Sequence, residues 1–379
     1  MLTIDYWDDN SPLCCCEYYD KKQQRSHILG CCCYCDELDT FTDNLLCCKG
    51  VSMNQTQSVL SRVQDRLRIP WSGGARQISL DAVAPIFLVP ILLLVAAYNI
   101  WMSFAVIFFT IIFLIIAYKI QVRNSSTTKF FVMWTVTSIA VIWYIFEFEV
   151  QPFLEITLEE NVVFNILFNG AIFCIYKARS AAAKVPKDNL TAESHNGEVE
   201  SEMLINVEND SNRDLEEFCP FCKCKKTERT VHCTTCQQCY VNQDFHNVWF
   251  DCCISKHNRR YFLLFLILGV SALLYGSNLT LTTVCYSFRL YKTILLPSDC
   301  GDVYEDLELA ACFVCGCYAL GAALFLLWFL IQQCWFISLG ITGSEWRRFS
   351  NRNRYGIFMA HRPYSKGFLK NWVAFILNY

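Results

Sequence analysis

The chain alternates long apolar runs with polar, charged stretches. Four apolar runs come first, at about Ala82–Ile100, Met102–Tyr118, Phe130–Phe146 and Val162–Tyr176. Two more follow, at about Tyr261–Val284 and Leu309–Leu339. Each approaches the ~20 residues a helix needs to cross a ~30 Å hydrocarbon core. The pattern predicts an all-α polytopic membrane protein with six transmembrane helices. Pro85 and Pro90 fall inside the first run, where neighbouring helices can satisfy the freed backbone groups. The last run is longer than a span requires, which predicts tilt or an extension beyond the bilayer. Ahead of the runs, Val59, Val63 and Leu67 recur at helical spacing with Arg62 and Arg66 between them, and the segment ends on Pro70-Trp71. That predicts an interfacial helix leading to the bilayer.

Polar segments set the organisation: a cysteine-rich N-terminal region over 1–80, four helices over 81–177, a linker over 178–217, a cysteine module over 218–260, two helices over 261–340 and a tail over 341–379. The linker is acidic and poor in large apolar residues, so a flexible spacer is expected. Lys119, Arg123 and Lys129 follow the second run, Lys177, Arg179 and Lys184 follow the fourth, and Arg347, Arg348, Arg352 and Arg354 lie in the tail. Glu147, Glu149, Glu155, Glu159 and Glu160 are placed in the loop after the third run. Basic loops favour the cytosol, which puts both termini and the module there. The sequons at Asn54, Asn124 and Asn189 would then stay unglycosylated, and the module's thiols reduced.

Composition supports this picture. Of 379 residues 54% are hydrophobic and 18% charged, and the mean hydropathy is +0.27, unlike a soluble globular chain. The net charge of −3 gives no basis for binding nucleic acid. The opening MLTIDYWDDN lacks the basic and apolar regions of a cleavable signal, so the 24 cysteines are not expected to form a secreted disulfide scaffold.

The cysteines cluster. Cys219-x2-Cys222 is followed by His232-Cys233-x2-Cys236-x2-Cys239, then by His246 and Cys252-Cys253. Two thiolates two residues apart fit a tight turn around one zinc ion, and a later His and Cys complete a tetrahedron. Eight ligands suffice for two closed sites; the alternative is a cluster of free thiols. So small and turn-rich a segment has almost no apolar core, so bound metal would supply its folding energy. The N-terminal cysteines leave three readings open. Cys14, Cys15 and Cys16 are candidate lipidation sites near the bilayer. Cys31, Cys32, Cys33 and Cys35 with Cys47 and Cys48 offer ligands for a further metal. Or these are exposed thiols.

Residues Phe218 to Phe262 closely resemble the DHHC protein S-acyltransferases, polytopic enzymes that move a fatty acyl group from acyl-CoA to protein cysteines. The resemblance implies two interleaved zinc sites: Cys219, Cys222, His232 and Cys239, then Cys233, Cys236, His246 and Cys253. Trp249, Asn258 and Phe262 also match the family's pattern, Thr342-Gly343-Ser344-Glu345 is a weakened form of its Thr-Thr-x-Glu element, and Tyr364 to Trp372 resembles its C-terminal packing motif. CCCEYYD (14–20) and DRLRIPW (65–71), with four spans before the module and two after, resemble the branch numbered twenty-three in the human set. The aromatic residues Trp143, Tyr144, Trp328 and Trp335 are expected at the interfaces or facing lipid.

One departure bears on function. The Asp-His-His-Cys signature stands here as Asp244-Phe245-His246-Asn247. The family mechanism needs a thiolate that attacks the acyl thioester and a neighbouring His that takes its proton. An Asn amide is no useful nucleophile, and a Phe ring accepts no proton. All eight zinc ligands remain, so the expectation is a catalytically inactive member: a scaffold or adaptor on Golgi or endoplasmic reticulum membranes. Its partners would be membrane lipids and cytosolic or membrane proteins, including active acyltransferases or their substrates. The alternative is an active enzyme with a displaced nucleophile, Cys252, and acyl-CoA as cofactor. A channel or transporter fits less well, because the apolar runs hold few ionisable residues away from their ends.

Overall fold

In the computed structural model the described residues are 13–20, 24–29, 36–47, 59, 63–124, 128–153, 156–188, 218–222, 224–226, 229–291, 294–352, 362 and 364–377. Cys31, Cys32, Cys33, Cys35 and Cys48 lie outside them, as do residues 189–217 of the expected linker. Contacts divide the chain into two units, Met1–Phe87 and Leu88–Tyr379.

The first unit is built on short antiparallel pairs. β1 (Glu17–Tyr19) pairs with β2 (Arg25–His27), and β3 (Arg68–Ile69) with β4 (Arg76–Gln77); α1 spans Asp36–Leu46. Tyr18 is buried beneath the Arg68 guanidinium, 4.0 Å from its ring centroid, and Asp65 holds that guanidinium at 2.7 Å. The expected interfacial helix does not reach Pro70-Trp71. Residues 63–66 are helical, but Arg68–Ile69 is a strand, because its backbone bonds go to Arg76–Gln77 instead of to a further helical turn.

Among the described residues, six helices are long and apolar enough to cross a membrane. They are α2 (Leu80–Ala97), α3 (Ile100–Asn124), α4 (Phe130–Tyr144, continuing as a π-helix to Val150), α5 (Leu158–Asp188), α6 (Arg259–Val284) and α7 (Leu307–Leu339). Trp143, Tyr144, Trp328 and Trp335 are exposed on them. In the second unit α6 packs between α5 and α7. Gly276 allows the close approach to α5, since a Cβ there would lie 2.7 Å from the Phe164 ring.

Two expected boundaries move. Glu147 and Glu149 lie in the π-helix rather than in a loop, and Asn165 Nδ2 donates to Glu147 Oε1 at 2.6 Å. Amide donors on the facing helix thus stabilise a carboxylate inside a helical segment. The helix of the fourth span runs on to Asp188, into the stretch assigned to the linker. Its run Ala181-Ala182-Ala183 has the highest intrinsic helix propensity, which apolarity alone does not register.

Between α6 and α7 the chain forms an unexpected hairpin, β11 (Tyr286–Tyr291) with β12 (Ile294–Asp299). A lone two-stranded hairpin is marginal in water. This one is closed at its base by a disulfide between Cys285 and Cys300. An unreduced, denatured chain should therefore bind two fewer thiol-reactive polymer groups than a reduced one. The difference should vanish in a Cys285→Ser, Cys300→Ser double variant; equal labelling with and without reductant would show that the bridge is not formed.

Candidate metal and degenerate acyl-transfer site

Three hairpins build the cysteine module: β5 (Phe218–Cys219) with β6 (Cys224–Lys225), β7 (Thr230–Cys233) with β8 (Gln238–Val241), and β9 (Phe245–Asn247) with β10 (Cys252–Ile254). Their registers explain the ligand spacing. His232 faces Cys239 across β7–β8, and His246 faces Cys253 across β9–β10. Facing residues of an antiparallel pair project to one side. Each site thus receives a His and a Cys from one hairpin and two thiols from a Cys-x2-Cys turn. Gln237 and Asp251, with φ of 55° and 48°, take the left-handed turn positions that close these hairpins.

Two groups result, Cys219, Cys222, His232, Cys239 and Cys233, Cys236, His246, Cys253, each with ligand atoms within 4.8 Å of one another. His232 Nδ1 lies 3.6, 3.2 and 3.8 Å from the sulfurs of Cys219, Cys222 and Cys239. His246 Nδ1 lies 3.9, 3.3 and 3.7 Å from those of Cys233, Cys236 and Cys253. A tetrahedral zinc with Zn–S near ~2.3 Å and Zn–N near ~2.0 Å sets such edges at about 3.5–3.8 Å. Both groups can hold a metal ion, and four protein ligands leave no open position for a substrate. Outer contacts support the thiolates: the N–H of Cys222 reaches Cys219 Sγ at 3.5 Å, that of Cys236 reaches Cys233 Sγ at 3.4 Å, and Gln243 Nε2 reaches Cys253 Sγ at 3.2 Å.

The signature residues lie at the base of this module. Asp244 is fully buried. Burial pushes its carboxyl up, opposed by the Arg259 guanidinium, 2.7 Å from Oδ2, and by the Gly343 N–H, 2.9 Å from Oδ1. An arginine on one oxygen and an amide donor on the other suit an ionised carboxylate. Arg347 donates to the Asp244 carbonyl at 2.8 Å. Gly343 is confined here, because a Cβ would lie 2.9 Å from that same carbonyl oxygen. The side chain of Phe245 turns into an aromatic cluster, 5.8 Å from the Phe262 centroid and 6.4 Å from that of Phe329. Asn247 is buried, and its Oδ1 accepts the Trp249 N–H at 2.9 Å. It therefore caps the turn that places Trp249 against Phe131, 4.8 Å between ring centroids.

Cys252 faces Asn247 across β9–β10, so the structure does bring the alternative nucleophile beside the expected position. It is buried in a cluster with Phe250, Phe262 and Phe265, and burial pushes its thiol up to about 12. At neutral pH that leaves almost no thiolate to attack a thioester.

One charged partner at the site, Arg229, had no local signal in the sequence. Arg229 clamps Glu345 with Nε and Nη2 at 2.7 and 2.8 Å. Glu345 also accepts the Thr342 N–H at 2.8 Å, and Thr342 Oγ1 lies 3.3 Å from the Glu345 N–H. This reciprocal pair is a capping box at the start of α8 (Gly343–Arg352), and the Thr-x-x-Glu spacing is the signal that could have shown it. Asn258, fully buried, donates to the carbonyls of Ala178 and Cys253 at 3.1 and 2.9 Å and ties the module to α5.

Six candidate membrane-spanning helices with a paired Cys3His module ahead of the fifth are consistent with the DHHC fold. The family model described as DHHC palmitoyltransferase matches residues 212–350, and the chain carries that family's domain. Across nearly its whole length it resembles palmitoyltransferase ZDHHC23-B of Danio rerio, at 28% identity over 97% of this chain and 93% of that one. Palmitoyltransferase ZDHHC23 of Mus musculus is 25% identical over 96% and 93% of the two chains, and that of Homo sapiens 24% over 88% and 89%.

The purified chain should carry two metal ions, and His246→Ala should lower the measured metal content by at least the ion of its own group; unchanged content would show that this group is not a ligand set. Arg259→Ala should destabilise the chain by about 3–5 kcal/mol, because it leaves a buried carboxylate without its counter-charge. Adding Asp244→Ala should recover part of that loss in a thermal-unfolding cycle; strict additivity would show that the two groups do not interact.

Proposed function

We propose that this chain is a catalytically inactive DHHC-family protein, a scaffold or adaptor on a Golgi membrane or, second, the endoplasmic reticulum. One observation carries the reading: an amide stands where thioester exchange requires sulfur, and that amide is engaged in capping the Trp249 turn. Phe245, at the position of the base, is packed among aromatic rings and offers no lone pair. Zinc is the metal of choice for both groups, since thiolate and imidazole in a tetrahedral set suit it. When bound, it closes and stiffens the module. The residues of this chain then present a folded platform tied to α5 by Asn258 and to α8 by Asp244 and Arg229.

Both termini and the module lie on the cytosolic side in this reading. The Cys285–Cys300 bridge supports it: the bridge sits at the opposite end of α6 from the module, and disulfides persist on the oxidising side. The partners are membrane lipids and peripheral or membrane proteins, among them active acyltransferases or the substrates these share with the module.

The cross-strand position of Cys252 favours one second reading, an active acyltransferase with a displaced nucleophile and acyl-CoA as its donor. Incubation of the purified chain with a labelled long-chain acyl-CoA separates the two. The inactive reading expects no hydroxylamine-sensitive label on the peptides covering 219–253. Label there that disappears in Cys252→Ser would establish the displaced nucleophile instead.

A further inference from the structure

Cys14, Cys15 and Cys16 lie on the turn that opens β1, with Cys14 and Cys15 exposed. Two backbone bonds seat this turn on the β3–β4 hairpin: the Trp71 N–H donates to the Cys15 carbonyl at 3.0 Å, and the Ala75 N–H to the Glu17 carbonyl at 2.7 Å. The hairpin has two unlike faces. Arg68 turns inward, over Tyr18 and onto Asp65. Leu67, Ile69 and Trp71 occupy alternate positions, and all are exposed, Trp71 to 48%. Alternate residues of an extended chain share a face. An apolar row therefore stands beside the thiols, with the Arg76 guanidinium 4.9 Å above the Trp71 ring.

Continuity of the chain identifies what covers this row. The Ile78 N–H bonds the Leu67 carbonyl at 2.8 Å and closes the hairpin's base, and α2, the first membrane-spanning helix, starts at Leu80. The hairpin thus stands two residues from the point where the chain enters the bilayer. An indole with a cation over its ring, flanked by branched aliphatic residues, suits the headgroup boundary of an anionic leaflet.

We propose that the Leu67–Ile69–Trp71 face rests on the bilayer surface and holds Cys14, Cys15 and Cys16 there as S-acylation sites. The cysteine sulfur attacks the carbonyl carbon of a long-chain acyl thioester. The new carbon–sulfur bond forms as the donor's bond breaks, and the proton of the cysteine thiol ends on the departing thiolate, with no change in oxidation state. The donor is acyl-CoA or the acyl-cysteine of an active acyltransferase. Cys14 and Cys15 are the exposed members of the three, with Cys16 half-buried beside them. Acylation here is independent of whether the module is inactive, because the acyl group arrives as a ready-made thioester.

The test is acyl exchange on the full chain in cell membranes: free thiols are blocked, thioesters cleaved with hydroxylamine, and the new thiols counted by a polymer mass tag. The wild-type chain should shift, and the Cys14→Ser, Cys15→Ser, Cys16→Ser triple variant should lose that shift. Ile69→Glu with Trp71→Glu should lower occupancy several-fold with the thiols still present. Purified chain in liposomes, given labelled acyl-CoA with or without an active acyltransferase, separates the two donors. A wild-type chain without a shift, as expected if this face docks a protein, or a triple variant that keeps the shift, would overturn the proposal. Label confined to residues 219–253 would overturn both it and the inactive reading, whereas label at both places would overturn the inactive reading alone.

Discussion

Eight side chains converging on two points give residues 219–253 their shape. Among its described residues the segment's own buried cluster is Cys233, Tyr240 and Cys253, two of them ligands, while Phe250 and Cys252 are buried against the helices. Metal–ligand bonds can therefore contribute the folding free energy that burial cannot, which ties the local backbone to all eight positions at once. That constraint is separable from chemistry. The ligands require a thiolate or imidazole at fixed points on three hairpins, while positions 245 and 247 lie between them and coordinate nothing. They can change without disturbing the frame, provided their new side chains are satisfied. Phe245 is satisfied by rings and Asn247 by a backbone N–H.

A second constraint links the frame to the membrane helices. Burial raises the Asp244 carboxyl, and Arg259 of α6, the Gly343 N–H at the start of α8, and the nearby Arg229 and Arg347 oppose that rise. Arg229 and Glu345 add a bidentate pair on the same side. Through these contacts the module, the fifth span and the segment after the sixth are held together. Nothing in that linkage depends on residue 247. Here that whole network stands beside an amide; the same network beside a thiol could equally serve an enzyme.

Much of this was legible in the sequence, and the omissions have physical reasons. The six spans were apparent because a bilayer demands long apolar runs, and the ligand groups because Cys-x2-Cys turns constrain spacing. The length of α5 was missed, since the alanine run that extends it is neither strongly apolar nor charged. The placement of Glu147 in a π-helix depends on Asn165 of another helix, which no local pattern shows. Cys285 and Cys300 stand apart from every cysteine cluster, and only the fold brings them together. The Arg229–Glu345 pair spans more than a hundred residues. The capping role of Asn247 was legible in principle, as Asn two residues before a backbone donor is a common turn, but its position drew attention to lost reactivity instead.

The proposed inactivity rests on Asn247 and Phe245 standing at the positions of nucleophile and base within an otherwise complete ligand frame. Release of free CoA from long-chain acyl-CoA tests it most directly, comparing the purified wild-type chain with an Asn247→Cys, Phe245→His variant. The account predicts release by the wild type no faster than from protein-free membranes, and a clear gain in the variant. Turnover by the wild type that Cys252→Ser abolishes would contradict it.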